Sequence, residues 1–243
     1  MFCSHLNDNM IVTFRYNDHH FHYGYILYAC GILGSLNSTF ISEYGSHIDA
    51  LMHDVAYNKN TYPSELQEEG VSFLPFTRYK SWYDGHSYAS GLFPFADGKS
   101  QESSTESINC YYGAYVWLLA KEHHANSDVK TNGELNFARL LLATEIRSVR
   151  LYWHMHASGN VKNVQGNPSI YNPIFAKNLM VGNSAMMDVT VATWFGNQPL
   201  YVHMINFMPV TALTKELFDK NYIKNEFETI ISPLYNEVEM PWR

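Results

Sequence analysis

The hydrophobic positions along the chain predict helices separated by long loops. From about His20 to Leu36 apolar residues run almost without interruption, and a helix that is apolar nearly all round is usually buried. Asn17 and Asp18 are suitable N-cap residues for this helix. From Thr39 to about Tyr57 the apolar residues recur every three or four positions, which predicts an amphipathic helix. Its apolar stripe comprises Ile41, Tyr44, Ile48, Leu51, Met52 and Val55.

Further helices are predicted after residue 100. Ser103 and Ser104 are cap residues for a helix that runs to about His123. A second helix is predicted from Gly133 to about Trp153, and a third from Leu213 to about Tyr222. The positions predicted to face inward are Ile108, Tyr111, Tyr112, Tyr115, Leu119, Phe137, Leu140, Leu141, Ile146 and Val149. Strand-like alternation is rare, so the sequence predicts a mainly α fold.

Two long loops interrupt these helices, one of about 45 residues after Tyr57 and one at residues 158–175. Loops of this length in a compact domain are usually functional or disordered, and the nine aromatic residues of the first argue against disorder. Buried helices paired with amphipathic ones predict two concentric helical layers, an α/α toroid or part of one. In such a ring the long loops gather at one end, where a cleft forms.

Composition and charge exclude several classes of protein. The 243 residues are 46% hydrophobic and 16% charged, which excludes a disordered chain. The net charge is −7 and the sequence has no block of Lys or Arg, so no nucleic-acid partner is expected. The longest apolar stretch, from Tyr25 to Leu36, is shorter than the roughly 20 residues that span a bilayer, so no membrane partner is expected either.

Cysteine and aromatic content narrow the choice further. Cys3, Cys30 and Cys110 are too few and too widely spaced for a disulfide scaffold or a four-cysteine zinc site. Aromatic residues make up 15% of the chain. Tyr and Trp combine a flat apolar face with a polar edge, which suits the surface of a sugar ring. A tyrosine-rich core explains the same composition.

The segment Asn17–Tyr25 contains the first candidate chemistry. His19, His20 and His22 fan over different faces of a helix and form no metal-binding pair, so no metal site is expected. Asp18 and His22 project from one face. Burial beside aromatic rings raises the pKa of a carboxyl group, while a helix N-terminus lowers it. The alternative is that Asp18 serves only as an N-cap.

Two further clusters carry carboxylates. Glu102 and Glu106 lie four positions apart, where like charges repel. Such a pair belongs on a solvated face or where carboxylates are needed, and the alternative is a capping box formed by Ser103 and Glu106. The segment Trp82–Tyr88 gathers aromatic rings, an acid and a histidine around a glycine. Carboxylates among aromatic rings are typical of enzymes that cleave glycosidic bonds, where one acid protonates the leaving oxygen and another acts as base or nucleophile.

These motifs resemble those of glycoside hydrolase family 81, whose members are endo-β-1,3-glucanases. The resemblance runs in order from about Tyr16 to about Tyr222, and it rests on the segments Asn17–Tyr25, Trp82–Ser87, Ala96–Glu106, Leu142–Ser148, Ala192–Asn197 and Tyr201–His203. It implies an (α/α)6 barrel and an inverting mechanism. It also implies that Asp18 is the general acid, that Glu102 is the base that activates water, and that Glu106 is a supporting carboxylate. Which of the two glutamates is the base stays open.

The resemblance also implies a substrate-binding set and a partner, β-1,3-glucan. The residues of that set are His22, Tyr23, Trp82, Asp84, His86 and Asn109. Inversion requires the acid and the base to lie roughly 6.5–9.5 Å apart, with room for one water. No cofactor is implied, because acid and base hydrolysis needs only two carboxyl groups and water.

The resemblance implies that residues 1–243 are one domain, the C-terminal part of the catalytic domain. The family's N-terminal β-sandwich and part of the helical ring are then expected to be absent. The implied location is extracellular or the cell wall, although the sequence shows no signal peptide. Two rival hypotheses are a truncated or degenerate relative that binds β-glucan without catalysis, and a histidine-rich metal protein.

Overall fold

The fold of the chain is mainly helical, as the sequence predicts. The computed structural model describes residues 18–58, 74–89, 101–124, 132–156, 170–182 and 198–237. Within these ranges there is no strand, and the extended contacts are two isolated bridges, Lys80 with Ser87 and His154 with Met180.

The predicted helices of the first two thirds of the chain lie where the pattern places them. The α-helices of the described ranges are α1 His19–Leu36, α2 Ser38–Ala56, α3 Ser104–His124, α4 Asn132–Ser148, α5 Pro173–Ala176, α6 Pro199–Ile205, α7 Thr214–Leu217, α8 Lys220–Glu226 and α9 Ser232–Glu237. π-Helical turns extend α4 and α8, at Val149–Trp153 and Phe227–Ile231. The helix predicted from Leu213 to Tyr222 is wrong as a single element, because Phe218 adopts an extended conformation between α7 and α8.

The chain divides into two compact units. The first comprises Met1–Leu92 with Glu106–Glu145, and the second comprises Phe93–Thr105 with Ile146–Arg243. The core of the first unit is built from α1, α2, α3 and α4, and it comprises Leu27, Ile48, Met52, Val55, Ala56, Cys110, Tyr111, Ala114, Trp117, Leu118, Leu135, Phe137, Ala138 and Leu141. Cys30 and Cys110 are free thiols, and Cys3 lies outside the described residues.

Helices α1 and α3 approach each other at glycines. A Cβ atom placed on Gly24 would lie 2.9 Å from the Cα atom of Cys110, and one on Gly113 would lie 2.7 Å from the amide nitrogen of Tyr28. The contacts advance along both helices in the same order, so the two helices are parallel. Their first residues therefore lie at the same end of the unit.

We expect Gly113→Ala to destabilise the first unit. The new methyl group would meet the Tyr28 backbone of α1, which cannot move aside like a flexible side chain, and overpacking of this kind costs about 1–3 kcal/mol. Gly45→Ala is the matched control. Its new methyl group would have no neighbour closer than 3.8 Å, and alanine is favoured over glycine inside a helix by about 0.5–1 kcal/mol.

Urea denaturation of the two variants measures this difference in the free energy of unfolding. If Gly113→Ala proved as stable as the wild type, the close backbone contact between α1 and α3 would be wrong.

The prediction that α1 is buried all round is wrong. Its buried residues form one stripe, His19, His20, Phe21, Gly24, Leu27, Gly31 and Gly34. The large apolar side chains on the other side, from Tyr25 to Leu36, are 42–79% exposed. The reason is that α1 packs through its glycines, so that its larger side chains project away from the core. Tyr44, Leu119 and Leu140, predicted to face inward, are exposed as well.

The second unit has its own buried polar contacts. His203 donates a hydrogen bond from Nδ1 to the Glu226 carboxylate at 2.6 Å, and both side chains are buried. The His154 ring stacks against the rings of Phe218 and Tyr222, at centroid distances of 5.1 and 4.7 Å.

Candidate active site

Asp18 occupies the N-cap position of α1 in a left-handed conformation, with φ 55° and ψ 20°. This region is costly for a residue with a side chain, and such residues cluster at functional sites. The Asp18 amide donates to the Ala89 carbonyl at 3.1 Å, and the Asp18 carbonyl accepts from the amides of Phe21 and His22. The Asp18 side chain makes no capping hydrogen bond. Asp18 therefore occupies the N-cap position without capping the helix through its side chain.

The surroundings of Asp18 favour the protonated carboxyl group. Burial, followed by repulsion from Glu106, raises the pKa of Asp18 to about 6, although His19 acts in the opposite direction. A carboxyl group with this pKa is substantially protonated in mildly acidic solution, which a general acid requires.

Glu106 lies in the first turn of α3, at the end of the unit where α1 begins. Its carboxylate accepts a hydrogen bond from the Tyr25 hydroxyl, and burial together with this carboxylate raises the pKa of Tyr25. Asn109 follows one turn later on α3 and is buried. Its Oδ1 atom has no hydrogen-bond partner among the described residues.

His19, which follows Asp18 in the sequence, belongs to a hydrogen-bonded group of three side chains with Asp54 and Arg78. His19 donates from Nδ1 to one carboxylate oxygen of Asp54 at 2.6 Å. Arg78 donates from Nε to the other carboxylate oxygen at 2.7 Å, and its Nη2 atom lies 2.6 Å from the same oxygen. Burial alone would raise the pKa of Asp54, but hydrogen bonds and charge from His19 and Arg78 outweigh burial and lower it. These hydrogen bonds therefore fix the orientation of the His19 ring.

We expect Asp54→Asn to destabilise the protein by about 1.5–3 kcal/mol at pH 7, the range for hydrogen bonds to charged groups. Because the pKa of Asp54 is lower in the folded state, its contribution is present above the ordinary Asp pKa and is lost as the pH falls through the folded value. The difference in stability between wild type and variant should therefore narrow as the pH falls below about 4.

Thermal unfolding across this pH range checks the expectation, with the exposed Glu43→Gln as the control. A gap that stayed constant with pH would contradict an ionic role for Asp54.

The predicted cluster of three histidines separates into different environments. His20 is buried and hydrogen-bonded to the Tyr111 hydroxyl at 3.1 Å, and burial lowers the pKa of His20 to about 4. His22 is half-buried, and burial lowers its pKa. The ring of Tyr23 lies 5.0 Å from that of His19. Across the described ranges, no group of three or more His, Cys, Asp or Glu side chains is arranged to hold a metal ion.

Residues 74–89 form a compact loop, which we call the aromatic loop. Within it Asp84 accepts hydrogen bonds from the hydroxyls of Ser81 at 2.9 Å and Tyr88 at 2.8 Å. His86 is buried, donates from Nδ1 to the Ser87 carbonyl at 3.0 Å and has its pKa lowered by burial. The predicted binding residues Asp84 and His86 thus take part in the internal bonding of the loop.

Trp82 is the predicted binding residue of this loop that faces solvent. Its side chain is 42% exposed. Its ring stacks on Phe76 at a centroid distance of 5.5 Å, and its indole nitrogen donates to the Thr77 hydroxyl at 3.0 Å. The ring is therefore held in place while part of its surface stays accessible.

A buried ion pair joins the aromatic loop to α4. Lys80 donates to the Glu145 carboxylate at 2.8 Å, and both side chains are 0% exposed. The carboxylate also accepts from the Ser87 amide at 3.0 Å and from the Ser87 hydroxyl at 2.7 Å. Burial by itself raises the pKa of Glu145, but Lys80, His86 and these hydrogen bonds hold it at about 2.

Sequence reasoning missed Lys80, Asp54 and Arg78, and assigned no role to Glu145. A signal existed for Glu145, which follows Phe137 and Leu141 at helical spacing on the predicted inward face. A carboxylate at such a position requires a buried cation. Lys80 lies among aromatic residues and belongs to no motif that would have predicted its burial.

Glu102 lies in the second unit, just before α3. Its backbone carbonyl accepts from the Asn206 side-chain amide at 3.0 Å. The Asn206 side-chain carbonyl in turn accepts from the Ser104 amide at 2.8 Å. Among the predicted carboxylates, the structure brings Asp18 and Glu106 together, and the pairing of Asp18 with Glu102 stays a prediction. The motif residues 90–100 and 192–197 lie outside the described residues.

None of the helices in the described ranges has the length and apolar character to cross a bilayer.

Comparison with known proteins finds one matching family and several named relatives. The profile of the glycosyl hydrolase family 81 C-terminal domain matches residues 11–243. Glucan endo-1,3-beta-D-glucosidase 2 of Saccharomyces cerevisiae is 29% identical, over 94% of this chain and 27% of the relative. The primary septum glucan endo-1,3-beta-D-glucosidase of Schizosaccharomyces pombe is 27% identical, over 94% of this chain and 20% of the relative.

A bacterial relative and a solved structure agree with the fungal ones. Glucan endo-1,3-beta-D-glucosidase of Acetivibrio thermocellus is 30% identical, over 88% of this chain and 25% of the relative. A solved glycoside hydrolase family 81 structure from Clostridium thermocellum superposes with a TM-score of 0.62 at 28% identity, covering 87% of this chain and 26% of that chain. The chain thus spans about a quarter of the length of these relatives. On this evidence the chain belongs to the glycosyl hydrolase family 81 C-terminal domain family.

Proposed function

We propose that the chain hydrolyses internal β-1,3 linkages of glucan, with Asp18 as the general acid. The observation that carries the proposal is the half-buried Asp18, whose pKa is raised to about 6 beside the second carboxylate Glu106. The bond and the polymer in this proposal are taken from the names of the relatives, which are glucan endo-1,3-beta-D-glucosidases. The name of the Schizosaccharomyces pombe relative mentions the primary septum, and this supports an extracellular or cell-wall site of action as part of the same proposal.

The proposed chemistry needs two carboxyl groups with opposite protonation. Protonated Asp18 donates its proton to the glycosidic oxygen as the bond from that oxygen to the anomeric carbon breaks. A glutamate carboxylate takes a proton from a water molecule that attacks the opposite face of the same carbon. The product is a new reducing end with inverted configuration and a free sugar hydroxyl, and both carboxyl groups then exchange protons with solvent. Glu102 is the proposed base, and Glu106 is the supporting carboxylate that keeps Asp18 protonated.

The proposed fold around this site is part of an (α/α)6 barrel, with residues 1–243 forming one domain. In the first unit, α2 returns antiparallel after α1, and α3 then runs parallel to α1. This order is the arrangement expected of successive helical hairpins in an α/α toroid. The proposed sugar contacts come from the ring face of Trp82 and from His22, Tyr23, Asp84, His86 and Asn109.

Chemical rescue distinguishes the two candidate bases. Glu102→Gln and Glu106→Gln are incubated with laminarin, with and without sodium azide, and cleavage is followed by chromatography of the shortened oligosaccharides. Removal of the base should lower kcat by about 10²–10⁴-fold, and azide should restore turnover by forming an α-glycosyl azide. We expect rescue in Glu102→Gln and none in Glu106→Gln. Proton NMR of the wild-type products should show the α-anomer first.

Rescue of Glu106→Gln instead would transfer the role of base to Glu106. A β-anomer as the first product would contradict inversion.

A further inference from the structure

Burying the ion pair of Lys80 and Glu145 costs desolvation free energy. Moving two charges out of water costs several kcal/mol per ion, and well-packed apolar residues of similar volume are often at least as stabilising. The pair nevertheless lies fully buried among aromatic rings, with Lys80 Nζ 5.0 Å from the centre of the Tyr111 ring. Its hydrogen bonds to the aromatic loop suggest that it is retained for geometry.

The pair fixes the conformation of the aromatic loop at several points. Lys80 Nζ donates to the Gly85 carbonyl at 2.7 Å as well as to Glu145. The Glu145 carboxylate receives both the amide and the hydroxyl of Ser87. Gly85 has a φ of 86°, a conformation that favours glycine. The turn between Lys80 and Ser87 is therefore held by this glycine and by its hydrogen bonds to the ion pair.

Two residues beyond Ser87, the loop reaches the proposed general acid. The Ala89 carbonyl accepts the backbone amide of Asp18 at 3.1 Å. This hydrogen bond lies on the N-terminal side of the left-handed residue, whose conformation persists only where the surroundings impose it. A second connection runs through Tyr111, which neighbours Lys80 and is hydrogen-bonded to His20 in the first turn of α1.

We propose that Lys80, Glu145 and Ser87 are positioning residues for Asp18, holding the aromatic loop so that the Ala89 carbonyl fixes the Asp18 backbone beside Glu106. This proposal rests on the proposed function for its catalytic meaning. The device acts through the backbone, because the link from the aromatic loop to Asp18 is the hydrogen bond from the Asp18 amide to the Ala89 carbonyl. The titratable groups that face that carboxyl group are His19 on its own helix and Glu106 on α3.

The direct test is the titration of Asp18 itself. Carboxyl ¹³C NMR follows the Asp18 resonance, assigned by its absence in Asp18→Asn. Ser87→Ala removes one hydrogen bond to Glu145. The double variant Lys80→Met/Glu145→Gln removes both charges while keeping a carbonyl acceptor for Ser87. Lys121→Met is the control, because it breaks a 2.6 Å ion pair with Asp49 in the same unit without touching the aromatic loop.

We expect the pKa of Asp18 to fall by at least half a unit toward its ordinary value in Ser87→Ala and in the double variant, because the released residue gains water. In Lys121→Met it should stay at about 6. On laminarin, kcat should fall about tenfold or more in the first two variants with KM unchanged, as expected when a reacting group is misplaced.

The outcomes separate the two proposals. An unchanged Asp18 titration in both loop variants, with folding confirmed by circular dichroism, would overturn the positioning role even if the chain cleaves laminarin. A shifted titration in a chain that cleaves no glucan would uphold the positioning role and overturn the proposed function.

Discussion

Asp18→Asn should abolish most glucan hydrolysis, lowering kcat on laminarin by about 10²–10⁴-fold, the usual contribution of a general acid. The asparagine side chain keeps the size of the aspartate but has no proton to give the leaving oxygen. The loss should be much smaller on an aryl β-laminaribioside with a dinitrophenolate leaving group, which departs without protonation. Steady-state kinetics on the two substrates measure this difference.

The same substitution should stabilise the protein at neutral and alkaline pH. The folded-state pKa of Asp18 is raised from 3.8 to about 6, so the folded protein loses stability as the pH rises from about 4 to above 6 and Asp18 ionises. Asparagine removes that penalty, and we expect a gain of about 1–3 kcal/mol at pH 8. The gain should vanish near pH 4, where the folded and unfolded forms are both protonated.

Two results would contradict this account of Asp18. Equal losses on laminarin and on the aryl substrate would show that Asp18 does not protonate the leaving group. An Asp18→Asn protein less stable than the wild type at pH 8 would show that its carboxylate is not buried at a cost.

Lys80→Met should be the most destabilising of the single substitutions considered for the first unit, at about 3–5 kcal/mol at pH 7. The variant leaves the Glu145 carboxylate buried without its cation. In the wild type the pKa of Glu145 is held at about 2, so the pair stabilises the fold above the ordinary Glu pKa and this stabilisation is lost as the pH falls toward 2. The difference between variant and wild type should therefore shrink as the pH falls from the ordinary Glu pKa toward 2.

Urea denaturation at several pH values measures the cost, and two further proteins control it. Lys80→Met/Glu145→Gln should recover at least half of the lost stability, because it removes the unpaired charge. Lys121→Met breaks a partly exposed pair and should cost less than about 1 kcal/mol. A cost for Lys80→Met as small as that of Lys121→Met would contradict the buried pair.

Local pattern was sufficient to predict the long helices and much of the candidate site. The stripe of Ile48, Met52 and Val55 identified α2 and its buried face, because one amphipathic period fixes both. The opposing effects of burial and of a helix N-terminus on the pKa of Asp18 were also predictable from its neighbours. The structure shows which effect prevails, with burial and Glu106 raising the pKa.

The misses have a common physical cause, namely contacts between residues distant in sequence. The buried face of α1 follows its glycines because α3 approaches to backbone distance at Gly24 and Gly31. No property of α1 alone reveals that neighbour. The partners Lys80 and Glu145 lie 65 positions apart, and each looks ordinary until the loop folds over the helix. Only the assembled fold shows that the two charges neutralise each other.

The central claim is that this chain cleaves β-1,3-glucan and does so with Asp18. The most direct measurement is the release of reducing ends from laminarin by the purified wild-type chain, beside Asp18→Asn at the same concentration. We predict release by the wild type and none above background in the variant. A folded wild-type chain that binds laminarin and releases no reducing ends would contradict the claim and identify a glucan-binding protein without catalysis.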